Sequence, residues 1–278
     1  MTDAPADRQA GRYDRIADGY ARWWGPVIGP WSVRVLDLVA ANVAAGARDL
    51  IDVGTGTGTV AFAALRRWPD VRVVAIDPSA GMLDVARARA MDGLTASQRR
   101  RLELVEAFGD RLPFDDGRFD LAVSAFVLQL VPSRARVLRE VHRALRGGGR
   151  LAHVTWLAGE RRFAGDSIVD AVLDDAGFDP PEPDRRPGDL RSVNAARAGL
   201  RAAGFRQATA TSEELAHAFT AETYTSFVTE FDEADTFASM SRRERRRSIA
   251  GLRSDLLAVP ADDLVLRLPV VFATGVRD

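Results

Sequence analysis

The segment Asp52-Val53-Gly54-Thr55-Gly56-Thr57-Gly58 constrains this chain more than any other feature. It follows a short apolar run, residues 49–53 (DLIDV), and precedes a helical pattern, residues 60–68 (VAFAALRRW), that Pro69 stops. Glycines at alternate positions permit positive φ and bring the backbone close to a ligand. Free N–H groups at the start of the following helix favour an anionic group. A strand, a glycine turn and a helix in that order begin a parallel sheet with covering helices. The first half continues the alternation, with strands at 71–76, 102–105, 119–125 and 150–156 and helices at 80–90 and 134–145. The last helix shows an apolar stripe at Val137, Leu138, Val141, Ala144 and Leu145. Gly147, Gly148 and Gly149 are predicted to cap it.

The second half is less regular. Residues 158–175 read as helical in part, and the four prolines of 179–188 mark a connection. A helix is predicted over 189–203, with Asp189 as its N-cap and Gly204 past its end. Residues 205–211 read as a strand, 212–257 as two or three helices without strand signal, and 264–274 as a last strand. Pro269 suits an edge or a bulge there.

Composition removes several chemistries. The chain of 278 residues has no cysteine, so disulfides, thiolate metal sites and a cysteine nucleophile are excluded. All 38 basic residues are arginine, which excludes a Schiff-base or P-loop lysine. Only His142, His153 and His217 are available to a histidine metal site, and no metal is expected. A net charge of -1 argues against a nucleic-acid partner. The start of the chain lacks a signal-peptide pattern and no apolar run looks long enough to span a bilayer. The expectation is a soluble, cytoplasmic protein with no membrane partner. The run Arg242–Arg247, +4 in sum, reads as a solvated helix face with Glu244 in ion pairs.

Asp77 ends the second strand, 23 residues after Gly54. An acid there can accept both hydroxyls of a ribose, or simply cap the next helix. A dinucleotide site uses a similar loop. Here, however, Thr59 stands where its third glycine would be, and Asp52, two residues before Gly54, suits a cationic amino group.

These residues resemble the class I S-adenosylmethionine-dependent methyltransferases, in particular their small-molecule, ubiquinone-biosynthesis-like branch. The segment Asp77-Pro78 through Met82-Leu83 is similar to that family's stretch after the second strand. Gly109-Asp110 through Phe119-Asp120, Ala125-Phe126 through Pro132, and Leu138 through Gly149 resemble its later motifs, with Gly147 in place of the usual turn proline. The family often carries an aspartate for the adenine amino group after the third strand, where this chain has Phe108, free to pack on the ring instead.

The resemblance implies an α/β, Rossmann-like sheet of seven strands in the order 3-2-1-4-5-7-6, mostly parallel with the last strand antiparallel. It implies a helical N-terminal lid over 1–46, a cofactor-binding core over 47–211, a helical cap over 212–263 and the last strand over 264–278. S-adenosyl-L-methionine is the implied cofactor, held by Asp52, Gly54, Gly56, Gly58, Asp77, Pro78, Met82, Phe108, Gly109, Asp110 and Phe126. The implied reaction is methyl transfer to O, N or C of a small, partly apolar acceptor of natural-product or lipid-quinone type, in secondary metabolism. His217, His153 and Tyr20 are the candidates for catalytic work, and the aromatic run Tyr13, Tyr20, Trp23, Trp24 and Trp31 reads both as lid and as docking face. His153 in mid-strand also reads as a packed core group, with Thr155 and Trp156 nearer the substrate. The resemblance admits a homodimer. Two other readings stand beside it: a cofactor-binding module without turnover, and a nicotinamide-dependent oxidoreductase.

Overall fold

The computed structural model describes residues 5–159, 163–179 and 188–278. The expected proline-rich connection therefore lies largely outside the described residues. Helix α1 (Pro5–Gly19) runs through a π-helical turn, Tyr20–Trp24, into α2 (Gly25–Ser32), a 3-10 segment, Val33–Val39, and α3 (Ala40–Ala44). Pro26 sits in the first turn of α2, where its missing N–H costs nothing. Val27, Ile28, Val35, Leu36 and Val39 are all buried, so one side of this run is committed to the interior. An 18-residue window of Arg8–Ala44 reaches a mean hydropathy of 1.3, with 44% of it buried inside the fold. That corrects the expectation that no stretch is long and apolar enough to cross a bilayer.

The sheet follows. Strand β1 (Asp49–Val53) leads to α4 (Thr59–Arg67), β2 (Arg72–Asp77), α5 (Ala80–Gly93), α6 (Ala96–Arg99) and β3 (Leu102–Glu106). Then come β4 (Phe119–Ala125), α7 (Arg134–Ala144), β5 (Leu145–Trp156), α8 (Ala164–Asp175), α9 (Val193–Ala202) and β6 (Arg206–Ala218). Helices α10 (Ala221–Phe227), α11 (Ala234–Ser239) and α12 (Arg242–Ala258) precede β7 (Val265–Val276). The seven strands lie in the order β3-β2-β1-β4-β5-β7-β6. Strands β1 to β5 pair in parallel, and β7 runs antiparallel to β5. The fold is the Rossmann-like sheet that the resemblance implied.

Strand β1 is central and every residue in it is buried, with Ile51 opposite Val74 on one side and Ala122 on the other. Two-sided burial explains its unbroken apolar run. At the start of the strands, Asp49 accepts from Arg72 at 2.8 Å and from Arg146 at 3.1 Å. Asp120 accepts the backbone N–H groups of Arg48 and Asp49 at 2.8 and 2.9 Å. This network ties β1, β2, β4 and the start of β5 at the end opposite the glycine loop.

The contacts divide the chain into two compact units, one of Met1–Ala158, Pro187–Glu213 and Val270–Asp278, the other of Gly159–Arg186 and Glu214–Pro269. The second is built on aromatic packing: Phe163 and Tyr224 meet edge to face at 4.9 Å, Phe219 and Tyr224 at 5.1 Å, and the Tyr224 hydroxyl donates to Asp166 at 3.0 Å.

Four local expectations are corrected. Residues 212–218 belong to β6, not to a helix. Their buried positions change phase between Ala208 and Leu215, and Glu213, Glu214 and Ala216 are good helix formers, so the alternation is masked. The last helix of the core begins at Val193 with Ser192 as cap, while Asp189 precedes a bridge between Leu157 and Leu190. The glycine run 147–149 lies inside β5, as a bulge between the pairs Phe119–Leu145 and Leu121–Arg150, and Leu145 ends α7. Strand β7 is interior to the sheet order rather than an edge, and Pro269 falls just before Val270, its first partner to β5.

Candidate functional site

A cavity opens above the carboxyl ends of β1, β2, β3 and β4, and its described lining comes entirely from the first unit. Between β1 and β4 the chain's connections diverge to opposite sides, which is where an open parallel sheet offers a crevice. The floor is the glycine loop. Gly54 has φ +74°, and a Cβ there would sit 2.3 Å from Val127 Cγ2. It allows the loop after β4 to close against β1. Gly56 has φ +54°, and a Cβ there would meet nothing within 4 Å. Its missing side chain is cavity space. Gly58 is not among the described lining residues; it caps α4 at φ 87° against the Phe62 ring. The candidate set thus splits, with Gly54 and Gly56 lining the cavity and Gly58 shaping the turn.

Two buried carboxyls face this space. Asp52, 1% exposed, accepts the Thr55 hydroxyl at 2.7 Å and the Ala61 N–H. Burial pushes its carboxyl up to about 7, against those two hydrogen bonds, and the nearby Asp77 adds to the rise. Asp77 accepts the Gly56 N–H at 2.8 Å and the Ser79 N–H at 3.0 Å. Burial pushes it up to about 6. It is therefore part of the loop's architecture as well as a candidate ligand. Pro78, Met82, Phe108, Gly109, Asp110 and Phe126 all line the same cavity. The Arg111 guanidinium lies 4.6 Å from the Phe108 ring centroid. An aromatic residue stiffened by a cation therefore stands where the resemblance put an acid.

The N-terminal helices supply the remaining wall: Gln9, Ala10, Tyr13, Tyr20, Gly25, Ile28, Gly29 and Ser32. Tyr13 and Tyr20 meet edge to face at 5.9 Å. Burial raises both phenols above their ordinary value. The aromatic run is divided in its duties. Tyr13 and Tyr20 line the cavity, Trp24 packs on Trp156, and Trp31 packs on Phe272.

Of the three catalytic candidates, Tyr20 alone is among the described lining residues. His153 is 1% exposed within β5, outside the described lining, and burial and the Arg134 charge push it down to about 3. It is neutral at any ordinary pH. His217 stands in β6, not in a helix, in the second unit, with its ring 4.6 Å from Phe219 and its pKa lowered by burial. Thr155 and Trp156 also lie outside the described lining. The Thr155 hydroxyl donates to Gln129, and the Trp156 ring backs Phe126 at 4.3 Å. Among the described residues, no three His, Asp or Glu side chains converge as a metal site. The arginines of 242–247 are exposed, and Glu244 caps α12 through Ser241 instead of pairing with them.

Two supporting residues escaped the sequence reading. Asp14 in α1 accepts the Ser79 hydroxyl at 2.6 Å and the Gly81 N–H at 2.9 Å, clasping the N-terminal helix to the turn after β2. Arg89 donates to the Thr57 carbonyl at 2.8 Å and hydroxyl at 2.6 Å, bracing the glycine loop from α5. Both act across long sequence separations, and neither stands in a local motif.

Residues 50–149 match the methyltransferase domain family. The chain is 37% identical over 107 residues to a ubiquinone/menaquinone biosynthesis C-methyltransferase of Geobacter sp. (strain M21), covering 38% of this chain and 44% of that one. It is 33% identical over 136 residues to the demethylmenaquinone methyltransferase of Thermotoga maritima, covering 49% and 54%. The chain spans about half the length of these curated relatives. Among solved structures it resembles the YcgJ protein of Bacillus subtilis, with a TM-score of 0.55 and 19% identity, covering 87% of this chain and 97% of that one.

Proposed function

We propose that this chain, whose residues 50–149 match the methyltransferase domain family, is an S-adenosylmethionine-dependent enzyme that methylates an O, N or C atom of a small, partly apolar molecule. One observation carries the reading. The cavity at the sheet's switch point gathers two buried carboxyls, Asp52 and Asp77, around the open face of Gly56. That donor set fits a ligand with a cationic end and a ribose. The space a Gly56 side chain would fill is the room such a ligand's backbone contact needs.

When bound, the cofactor supplies an already activated sulfonium methyl. The chain's residues do the rest. Asp77 keeps acceptor capacity for ribose hydroxyls beyond its bonds to the Gly56 and Ser79 N–H groups. Asp52 would hold the cationic amino group, and a cation beside it would favour the carboxylate that burial otherwise disfavours. Phe108, with the Arg111 guanidinium 4.6 Å from its ring centroid, would pack on the adenine. Phe126, Ile28, Leu130 and Val131 wall off water on the acceptor side. Holding a nucleophile in line with the methyl and excluding water supplies up to ~7–11 kcal/mol of the barrier reduction. Tyr20, with its phenol raised, stays protonated and donates a hydrogen bond to an acceptor oxygen instead of removing a proton. No arginine or histidine is among the described lining residues, so a neutral acceptor that brings its own nucleophile suits the cavity. The names of the curated relatives make reduced quinones the first acceptors to try.

The test is transfer of tritium from methyl-labelled S-adenosylmethionine to a panel of reduced naphthoquinones, phenols and amines. Label in an extractable product supports the reading. Cofactor binding without transfer to any class would favour the non-catalytic module.

A further inference from the structure

The loop after β4 is irregular backbone, yet it carries Phe126, Val127 and Leu130 into the cavity wall. Phe126 has φ 56°, in the left-handed region. A phenylalanine holds that conformation only where its surroundings over-determine it. Three hydrogen bonds do so. The Phe126 N–H donates to the Val154 carbonyl at 2.8 Å. The Gln129 amide N–H donates to the Phe126 carbonyl at 2.6 Å. The Gln129 amide oxygen accepts the hydroxyl of Thr155, a fully buried residue of β5. The hydroxyl can satisfy that oxygen only by donating, so the Gln129 NH2 must face the Phe126 carbonyl. One side-chain amide thus fastens the strained residue to the strand behind it. The Phe126 ring is set 4.3 Å from Trp156, which packs 6.4 Å from Trp24.

We propose that Gln129, oriented by Thr155, is a positioning residue that fixes the Phe126 ring as the wall against which the methyl acceptor lies, without acting on the cofactor. The proposal deepens the methyl-transfer reading and rests on it. The side-chain hydrogen bonds of Gln129 go to Phe126 and Thr155 and not to the glycine loop or Asp77. Its loss therefore leaves Asp52, Gly56 and Asp77 in place for the cofactor and displaces the Phe126 ring, assigned to the acceptor wall instead of the cofactor. Replacing it with glutamate sets a carboxylate against the Phe126 carbonyl. Replacing it with leucine removes both bonds. Thr155→Val keeps the shape and removes the orienting donor.

The experiment compares wild type, Gln129→Leu, Gln129→Glu, Thr155→Val and the Gln129→Leu/Thr155→Val double variant. Calorimetry reads S-adenosylhomocysteine affinity, and quenching of tryptophan emission reads binding of 1-naphthol, a neutral planar probe, with and without that product. The expected result is a loss of about tenfold in naphthol affinity in each single variant, the scale of one or two hydrogen bonds. The double variant should lose no more than Gln129→Leu, because the two residues act through one contact. S-adenosylhomocysteine affinity should stay within about twofold. Thr155→Val carries the test if Gln129→Leu does not fold. Unchanged naphthol affinity, multiplied losses in the double variant, proportional loss of both ligands, or no naphthol binding to wild type would each overturn the proposal. Failure of wild type to bind S-adenosylhomocysteine would instead reject the methyl-transfer reading, while the naphthol series would still report on the wall.

Discussion

Replacing Asp52 with asparagine should stabilise the empty protein at pH 8 and cripple its cofactor binding at the same time. The carboxyl is fully buried and is pushed from 3.8 up to about 7. A carboxyl raised in the native state contributes stability that is complete below its unfolded value, near 3.9, and is lost as pH rises through its folded value. At ~1.4 kcal/mol per pH unit, the rise of about 3 units amounts to as much as ~4 kcal/mol lost between pH 4 and pH 8. Asparagine keeps the shape and one acceptor for Thr55 or Ala61, giving up a hydrogen bond worth ~1 kcal/mol. By pH 5 the unfolded carboxyl is already ionised and wild type has given up about 1.5 kcal/mol, so the variant should lie within about 1 kcal/mol of wild type at pH 5 and be more stable at pH 8 by about 3 kcal/mol. Asp77 keeps its own raised carboxyl, so some pH dependence remains. Urea unfolding at pH 5 and pH 8 reads the widening gap, and calorimetry should show S-adenosylmethionine affinity down by about a hundredfold, the scale of a buried charge-assisted hydrogen bond. Parallel pH dependence in the two proteins, or unchanged affinity, would refute the reasoning.

Further consequences follow from the same geometry. Asp77→Ala should weaken S-adenosylhomocysteine binding at least a hundredfold and also destabilise the fold by ~1–3 kcal/mol, because the Gly56 and Ser79 N–H groups lose their acceptor; calorimetry and urea melts read the two effects separately. Gly56→Val should abolish binding by filling cavity space, with unfolding shifted only by the strain of φ +54°; retained affinity would remove Gly56 from the site. Arg89→Ala should weaken binding several-fold, and raise amide exchange at residues 54–58, without touching the ligand. His153→Phe should leave the pH–rate profile unaltered between pH 5 and 8, because the imidazole is already neutral there.

The sheet was legible where burial is two-sided or strictly periodic. Strand β4 falls on the residues its apolar pattern indicates, and α7 ends within one residue of its stripe. Strand β6 was not legible past residue 211, because its buried positions shift phase among good helix formers. The cofactor side of the site was readable since the glycine loop, Asp77 and the Phe108 loop all sit at ends of consecutive parallel strands, so sequence order becomes spatial adjacency. The proposed acceptor wall was not: the sequence placed Phe126 with the cofactor and Thr155 nearer the substrate, and nothing in it pointed to the amide that joins them. Gln129, Thr155 and Phe126 meet through tertiary hydrogen bonds, and Asp14 reaches Ser79 across 65 residues of chain. Histidine chemistry, guessed from residue type, met a buried core group in His153 and a strand residue of the second unit in His217.

Calorimetric titration with S-adenosylhomocysteine, with NADH as control, tests the central claim most directly. Micromolar binding of the first alone, lost in Asp77→Ala and retained in His153→Phe, is the predicted result. Binding of NADH instead, or S-adenosylhomocysteine affinity indifferent to Asp77, would contradict the assignment of the switch-point cavity.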